Sequence, residues 1–216
     1  MTDLDFEHMR RAMVASQLRT TAVNDPRVVA AMARIPREHF VPAESAALAY
    51  IDRPVPLGQG RTLNPPMTTG RLLTEAHPQA EDRALVIGGA TGYAAALLAA
   101  MVSSVVSLEE DSSLIEAARK APVPANVTIV EGPLAAGWKK KAPFDLMLID
   151  GAVEYVPQPI IDQLGEGGRL AVAILDRGVA RLSIGRRSGK GFGLVAFADA
   201  EAASLPGFSR PKSFSF

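Results

Sequence analysis

RALVIGGATGYAAALLAAMVSSVVSLEED, residues Arg83–Asp111, decides the fold. It reads in four pieces. Ala84–Ile87 is a short apolar run, too brief for a helix and suited to a buried strand. Gly88, Gly89 and Gly92 follow at once. Tyr93–Val102 is apolar nearly all round and rich in alanine, which suits a helix packed tightly onto a sheet. Ser104–Leu108 is a second β-branched run, ending in Glu109, Glu110 and Asp111. Strand, glycine turn, helix and strand make half of a doubly wound α/β fold.

The chemistry of such a unit follows from its geometry. Glycines after a strand let a ligand approach the backbone, because no Cβ is in the way and positive φ is free. The next helix offers unpaired N–H groups at its start, which attract a carboxylate or phosphate. A carboxylate at the tip of the second strand can accept hydrogen bonds from both hydroxyls of a ribose. Glu109 stands seventeen positions beyond Gly92, near the roughly 20 expected of a nucleoside-binding βαβ unit. The turn Gly88-Gly89-Ala90-Thr91-Gly92 is not a dinucleotide G-x-G-x-x-G. It is similar to the G-x-G-x-G turn of S-adenosylmethionine (SAM) methyltransferases. The alternative is a tight βα turn that binds nothing.

Composition sets the outer limits. At 216 residues the chain is long enough for one α/β domain with a sizeable core. Its 23 basic and 23 acidic residues balance, so no net field draws it to nucleic acid or an acidic membrane. It has no cysteine, which excludes disulfides and thiolate chemistry. With three histidines besides, no metal site is expected. The first residues carry Asp3, Asp5 and Glu7 and no apolar run, so no signal peptide is expected. No apolar stretch reaches the roughly 18 residues of a membrane span. The expectation is a cytoplasmic α/β protein.

Along the chain, Asp5–Thr20 places Phe6, Met9, Met13, Val14 and Leu18 at amphipathic-helix spacing. Asp25-Pro26 starts a second helix with an N-cap acid and a proline at the first position, and Pro36 stops it. Ser45–Tyr50 adds a turn of helix. Ile51–Met67 is proline-rich with two glycines, so it is neither a regular helix nor a central strand. Long ordered loops tend to be functional; the alternative is a linker. Thr68–Glu75 and Asp111–Lys120 read as helices, the second capped by Asp111 or Ser112. Asn126–Glu131, Phe144–Ile149 and Arg169–Leu175 read as further strands. Val156–Leu164 reads as a helix broken by Gly165–Gly168. Val179–Arg187 and Gly191–Phe197 flank Ser188-Gly189-Lys190, a hairpin signal. Lys139–Lys141 reads as a solvated turn.

Several stretches match one family together. DPRVVAAMARIPREHFVP (Asp25–Pro42), AYIDRPVPLGQGRTLNPP (Ala49–Pro66), VIGGATGYAAALLA (Val86–Ala99), EGPLAAGWKKKAPFD (Glu131–Asp145) and QLGEGGRL (Gln163–Leu170) resemble protein-L-isoaspartate O-methyltransferases. The resemblance runs from about Met13 to about Leu175, with the motifs in order. It implies a class I methyltransferase (Rossmann-like) fold: a doubly wound, mostly parallel seven-stranded sheet with an antiparallel closing hairpin and an N-terminal helical preface. A single domain is expected over 1–216, with helices in 1–50, an active-site loop in 51–67 and the core in 68–216. SAM is the implied methyl donor, S-adenosylhomocysteine the product, and an isoaspartyl protein or peptide, or a small carboxylate, the acceptor.

Thr62, Pro66, Gly88, Gly92, Tyr93 and Glu109 carry over directly from the family pattern, and Asn64 by position, where the family has a serine. The implied donor site is Gly88, Gly89, Ala90, Gly92, Tyr93, Glu109 and Glu110, with Gly132-Pro133-Leu134 where the family has Gly-Asp-Gly, and Asp150 after the fourth core strand. Val86 stands where the family usually has an acid, and the turn and the Asp150-Gly151-Ala152 run also depart from its pattern. Methyl transfer to a carboxylate is an in-line displacement, and the carboxylate is already ionised at pH 7, so no general base is required. Thr62 and Asn64 are the implied catalytic residues, orienting the acceptor; the alternative is that both are turn residues. Arg61 is expected to be solvated, with pairing to the acceptor carboxylate as the alternative. Asp150 faces either the donor's amino group or its adenine end, or is a strand-end turn residue. Trp138 packs at the domain edge, and His8, His39 and His77 are structural. A methyltransferase for a different acceptor and a catalytically inactive family member remain as alternatives.

Overall fold

The computed structural model describes residues 5–210; Asp3 and both ends of the expected domain, 1–4 and 211–216, lie outside the described residues. Asp5 caps α1 (Phe6–Met13), accepting the His8 N–H at 2.9 Å. The helix widens into a π-helical segment at Val14–Leu18, where the hydroxyls of Ser16, Thr20 and Thr21 bond to carbonyls four residues back. Met13, Val14 and Leu18 are buried, so the amphipathic face is the one that packs. α2 (Pro26–Arg34) starts at Asp25, which accepts the Arg27 N–H at 2.8 Å.

The proline-rich stretch holds a hairpin of its own, β1 (Val55–Gly58) and β2 (Arg61–Leu63), outside the main sheet. α3 (Pro66–Ala76) follows. Then come β3 (Arg83–Ile87), α4 (Tyr93–Ala99), β4 (Ser104–Glu109), α5 (Ser112–Lys120), β5 (Val127–Glu131) and β6 (Phe144–Val153). A single turn α6 (Gln158–Ile161), β7 (Leu164–Asp176), β8 (Val179–Ser188) and β9 (Gly191–Asp199) complete the chain of elements. The seven-stranded sheet has the order β5-β4-β3-β6-β7-β8-β9. β5 to β7 run parallel, and β8 and β9 close the sheet antiparallel.

The central parallel strands β3, β4 and β6 are buried on both faces, and their side chains alternate between them. Ala84 and Val86 point into one apolar cluster with α4 and the N-terminal helices, Leu85 and Ile87 into the other. The second face is thinly covered. Leu134, Ile160 and, from the tail after β9, Leu205 and Phe208 fill it. None of the described helices is long and apolar enough to cross a membrane.

Two readings of local pattern are corrected. Val156–Leu164 is not a helix: Pro157 caps a single turn, and Leu164 is drawn into β7 opposite Phe144. Gly165–Gly168 belongs to that same strand, where the register shifts between Phe144 and Leu146. β6 also continues past Ile149, carrying Asp150 inside a strand instead of a turn.

Candidate active site

Strand order reverses between β3 and β6, and the carboxyl ends of the strands at such a switch point form the binding crevice of doubly wound folds. Gly88 follows β3, Glu109 ends β4, and Asp150 lies in the last part of β6. Gly88 and Gly92 have φ of +77° and +97°, which keeps the turn to glycine there. The N–H groups of Gly88 and Gly89 both donate to the Leu108 carbonyl at 3.0 Å, pinning the corner against β4. A Cβ on Gly89 would run into Ser107 Oγ. That glycine packs against strand β4 through the Ser107 side chain.

Glu109 is the centre of the corner, 1% exposed. Its Oε1 accepts from Arg61 Nη1 at 2.8 Å, the Glu110 N–H at 2.9 Å and the Asp111 N–H at 3.2 Å. Its Oε2 accepts from Arg61 Nη2 at 3.0 Å and the Ala90 N–H at 2.8 Å. Five donors on one carboxylate leave it no free lone pair. Arg61 reaches it from β2 as a two-pronged fork and is itself 8% exposed. This corrects the expectation of a solvated arginine, or of one waiting for an acceptor.

Asn64 lies between β2 and α3, 1% exposed. Its Nδ2 donates to Asp150 Oδ1 at 2.8 Å, and its Oδ1 accepts the Ala203 N–H at 2.9 Å. Burial pushes the Asp150 carboxyl above its ordinary value, opposed by the Asn64 bond and the charges of Arg37 and Arg61. Arg37 is wholly buried; it donates through Nε to the Ala49 carbonyl at 2.6 Å and through Nη2 to the Asn64 carbonyl. Its guanidinium stands 4.8 Å from the Tyr93 ring centroid. Burial pulls Arg37 down and pushes the Tyr93 hydroxyl up from their ordinary values. Two cations, Arg37 and Arg61, thus sit among two acids, Glu109 and Asp150, in one buried cluster.

The tail closes the corner from the other side. The Ala152 N–H donates to the Ala203 carbonyl at 2.6 Å, and the Leu205 N–H donates to the Ala152 carbonyl at 2.9 Å. This seats Leu205 so that its methyl carbons lie 2.9 Å from where a Cβ on Gly88 would stand. Gly88, Gly89, Ala90 and Gly92 are all buried by the protein's own atoms.

Of the residues singled out in the sequence, the structure gathers Asn64, Gly88, Gly89, Ala90, Glu109 and Asp150. Tyr93 is near them, edge-on to Phe40 at 5.4 Å between centroids. Thr62 is half-buried in β2 opposite Pro56, and its hydroxyl makes no hydrogen bond among the described residues. Glu110 points out and accepts the Leu134 N–H at 3.2 Å. Gly132 sits under the Trp138 ring and Pro133 is exposed, at the rim of the second face. Sequence reasoning missed Arg37, Ser107 and Leu205. A buried arginine and a tail leucine carry no local signal; each is defined by partners far along the chain.

A seven-stranded sheet in this order, with a glycine corner after its first parallel strand and an acid at the tip of the next, defines a class I SAM-dependent methyltransferase fold. Residues 8–194 match the family model described as Protein-L-isoaspartate(D-aspartate) O-methyltransferase. The protein-L-isoaspartate O-methyltransferase of Methanoculleus marisnigri is 40% identical over 168 residues, 76% of each chain. Protein-L-isoaspartate O-methyltransferase 2 of Marinobacter nauticus is 36% identical over 205 residues, 89% of this chain and 93% of that one. A solved protein-L-isoaspartate O-methyltransferase superposes with a TM-score of 0.79 at 23% identity, covering 92% of this chain and 66% of the other. A putative Plasmodium falciparum enzyme solved with S-adenosyl-L-homocysteine gives 0.75 at 18% identity, covering 91% and 97%. The chain belongs to the protein-L-isoaspartate(D-aspartate) O-methyltransferase family.

The family uses SAM, and the donor set here suits a nucleoside: a buried carboxylate facing a side-chain-free turn at the head of a helix. The chemistry fits; in this structure Arg61 and Leu205 lie against that carboxylate and turn.

Proposed function

We propose that this chain transfers a methyl group from SAM to the carboxylate of an isoaspartyl residue in a damaged protein or peptide, releasing S-adenosylhomocysteine. One observation carries the reading beyond family membership: Asn64, at the acceptor-side position of the loop, already donates its amide to a buried carboxylate, that of Asp150, at 2.8 Å. A group placed to hold one carboxylate beside the ribose acid is placed to hold another.

Bound SAM supplies an electrophilic methyl. Glu109 and the turn from Gly88 to Gly92 are the residues that hold it. Asn64 and Thr62 orient the acceptor. The acceptor carboxylate has a pKa of about 4 and reacts as the anion, so no side chain has to remove a proton. A cytoplasmic setting is part of this proposal. The test is SAM turnover by the purified chain with matched isoaspartyl and aspartyl peptides. S-adenosylhomocysteine and a base-labile ester should appear with the isoaspartyl peptide alone. Equal turnover of the two peptides, or none, would sink the acceptor assignment.

A further inference from the structure

We propose that Arg61 and Leu205 form a two-part lock on the donor site, and that SAM enters only when the β1–β2 hairpin and the tail withdraw together. This rests on the methyltransferase reading above and deepens it.

Three of the five donors on Glu109 are backbone N–H groups of the adjacent turns, from Ala90, Glu110 and Asp111. They set the carboxylate's direction and are fixed by the fold. The removable donor is the Arg61 fork, which puts one N–H on each oxygen. A ribose diol also presents two donors to one carboxylate, so guanidinium and sugar compete for the same lone pairs. Leu205 takes the adjoining space over Gly88, and Arg61 Nη2 lies 3.5 Å from the same hypothetical Cβ. The two parts therefore meet at one spot.

They are also joined. Asn64, three residues beyond Arg61, accepts the Ala203 N–H. Thr68 Oγ1 donates to the Glu201 carbonyl at 2.7 Å. Neither part is a strand of the main sheet. The hairpin is a separate two-stranded sheet, a unit marginal alone. The tail meets β6 through a single bridge between Ala152 and Ser204. The hairpin's turn residues Gly58, Gln59 and Gly60 all have positive φ and are exposed. Moving Arg61 off Glu109 pulls on Asn64 and hence on the tail that seats Leu205.

The test uses the full chain and S-adenosylhomocysteine as probe, with calorimetry for affinity and hydrogen exchange for the lock. Apparent affinity scales with the fraction of open molecules. Arg61→Met and Leu205→Ala should therefore each bind the probe about tenfold or more tightly than the wild type. In the wild-type chain, probe binding should raise exchange at the Ala203 and Leu205 amides about tenfold, since both are bonded only in the locked arrangement. This second measurement does not depend on the variants folding. Tight wild-type binding with both amides still protected overturns the lock and leaves the methyltransferase reading standing. If neither the wild type nor the two folded variants bind millimolar probe, the donor assignment falls and the lock falls with it.

Discussion

Arg61→Met isolates the energetics of the corner. The substitution keeps an unbranched side chain of similar reach and removes two of the five bonds to Glu109. The carboxylate stays buried at 1% exposure and keeps its three backbone donors. Removing one partner of a buried ion pair costs about 3–5 kcal/mol. The backbone donors that remain place this case at the low end, about 3 kcal/mol. For a chain of this size each kcal/mol moves the thermal midpoint by about 2–4 °C, so Tm should fall by about 6–12 °C. Urea unfolding at neutral pH, followed by the fluorescence of the half-buried Trp138, gives the free energy directly. Glu109→Gln and the double variant complete a cycle whose coupling should exceed about 1 kcal/mol. A loss under about 1 kcal/mol with no coupling is the signature of a solvated surface pair. It would refute a buried fork between β2 and β4.

Three further predictions test other parts of the structure. Burial holds the Asp150 carboxyl above its ordinary value of about 3.9. The native chain thus keeps a proton that the unfolded chain has released, and the wild type loses stability as pH rises through the window above that value. Asp150→Asn keeps an acceptor for Asn64 and cannot titrate, so its stability relative to wild type should improve as pH rises above about 4; urea titrations giving a flat difference would contradict the raised carboxyl. A Cβ on Gly89 would meet Ser107 Oγ. Gly89→Ala should therefore cost about 1–3 kcal/mol, and most of the loss should return in the Gly89→Ala/Ser107→Ala double variant, whereas equal midpoints for single and double variants would count against the clash. Asp25→Ala removes the cap of α2. Calorimetry should find a loss of about 1 kcal/mol, little of it from the exposed Arg27 pair.

Some of the protein was legible from neighbours along the chain. The alternation of strand and helix from Arg83 to Glu131, the positive-φ glycines at Gly88 and Gly92, and the caps at Asp25 and Asp111 are all properties of short windows. Periodicity, backbone sterics and capping act over a few residues, so a few residues reveal them. Where the window misled, at Val156–Leu164, pairing of Leu164 with Phe144 on a distant strand outweighed local helical preference.

The sequence by itself determined the doubly wound fold, the glycine corner and an acid at the tip of its second strand. Only the tertiary structure decided what that acid holds. Arg61 meets Glu109 across 48 positions, Asn64 meets Asp150 across 86, and Asn64 meets Ala203 across 139. Leu205 reaches Gly88 from beyond the last strand. A buried charge must find its partner wherever the folded chain brings one, and no local pattern carries that address.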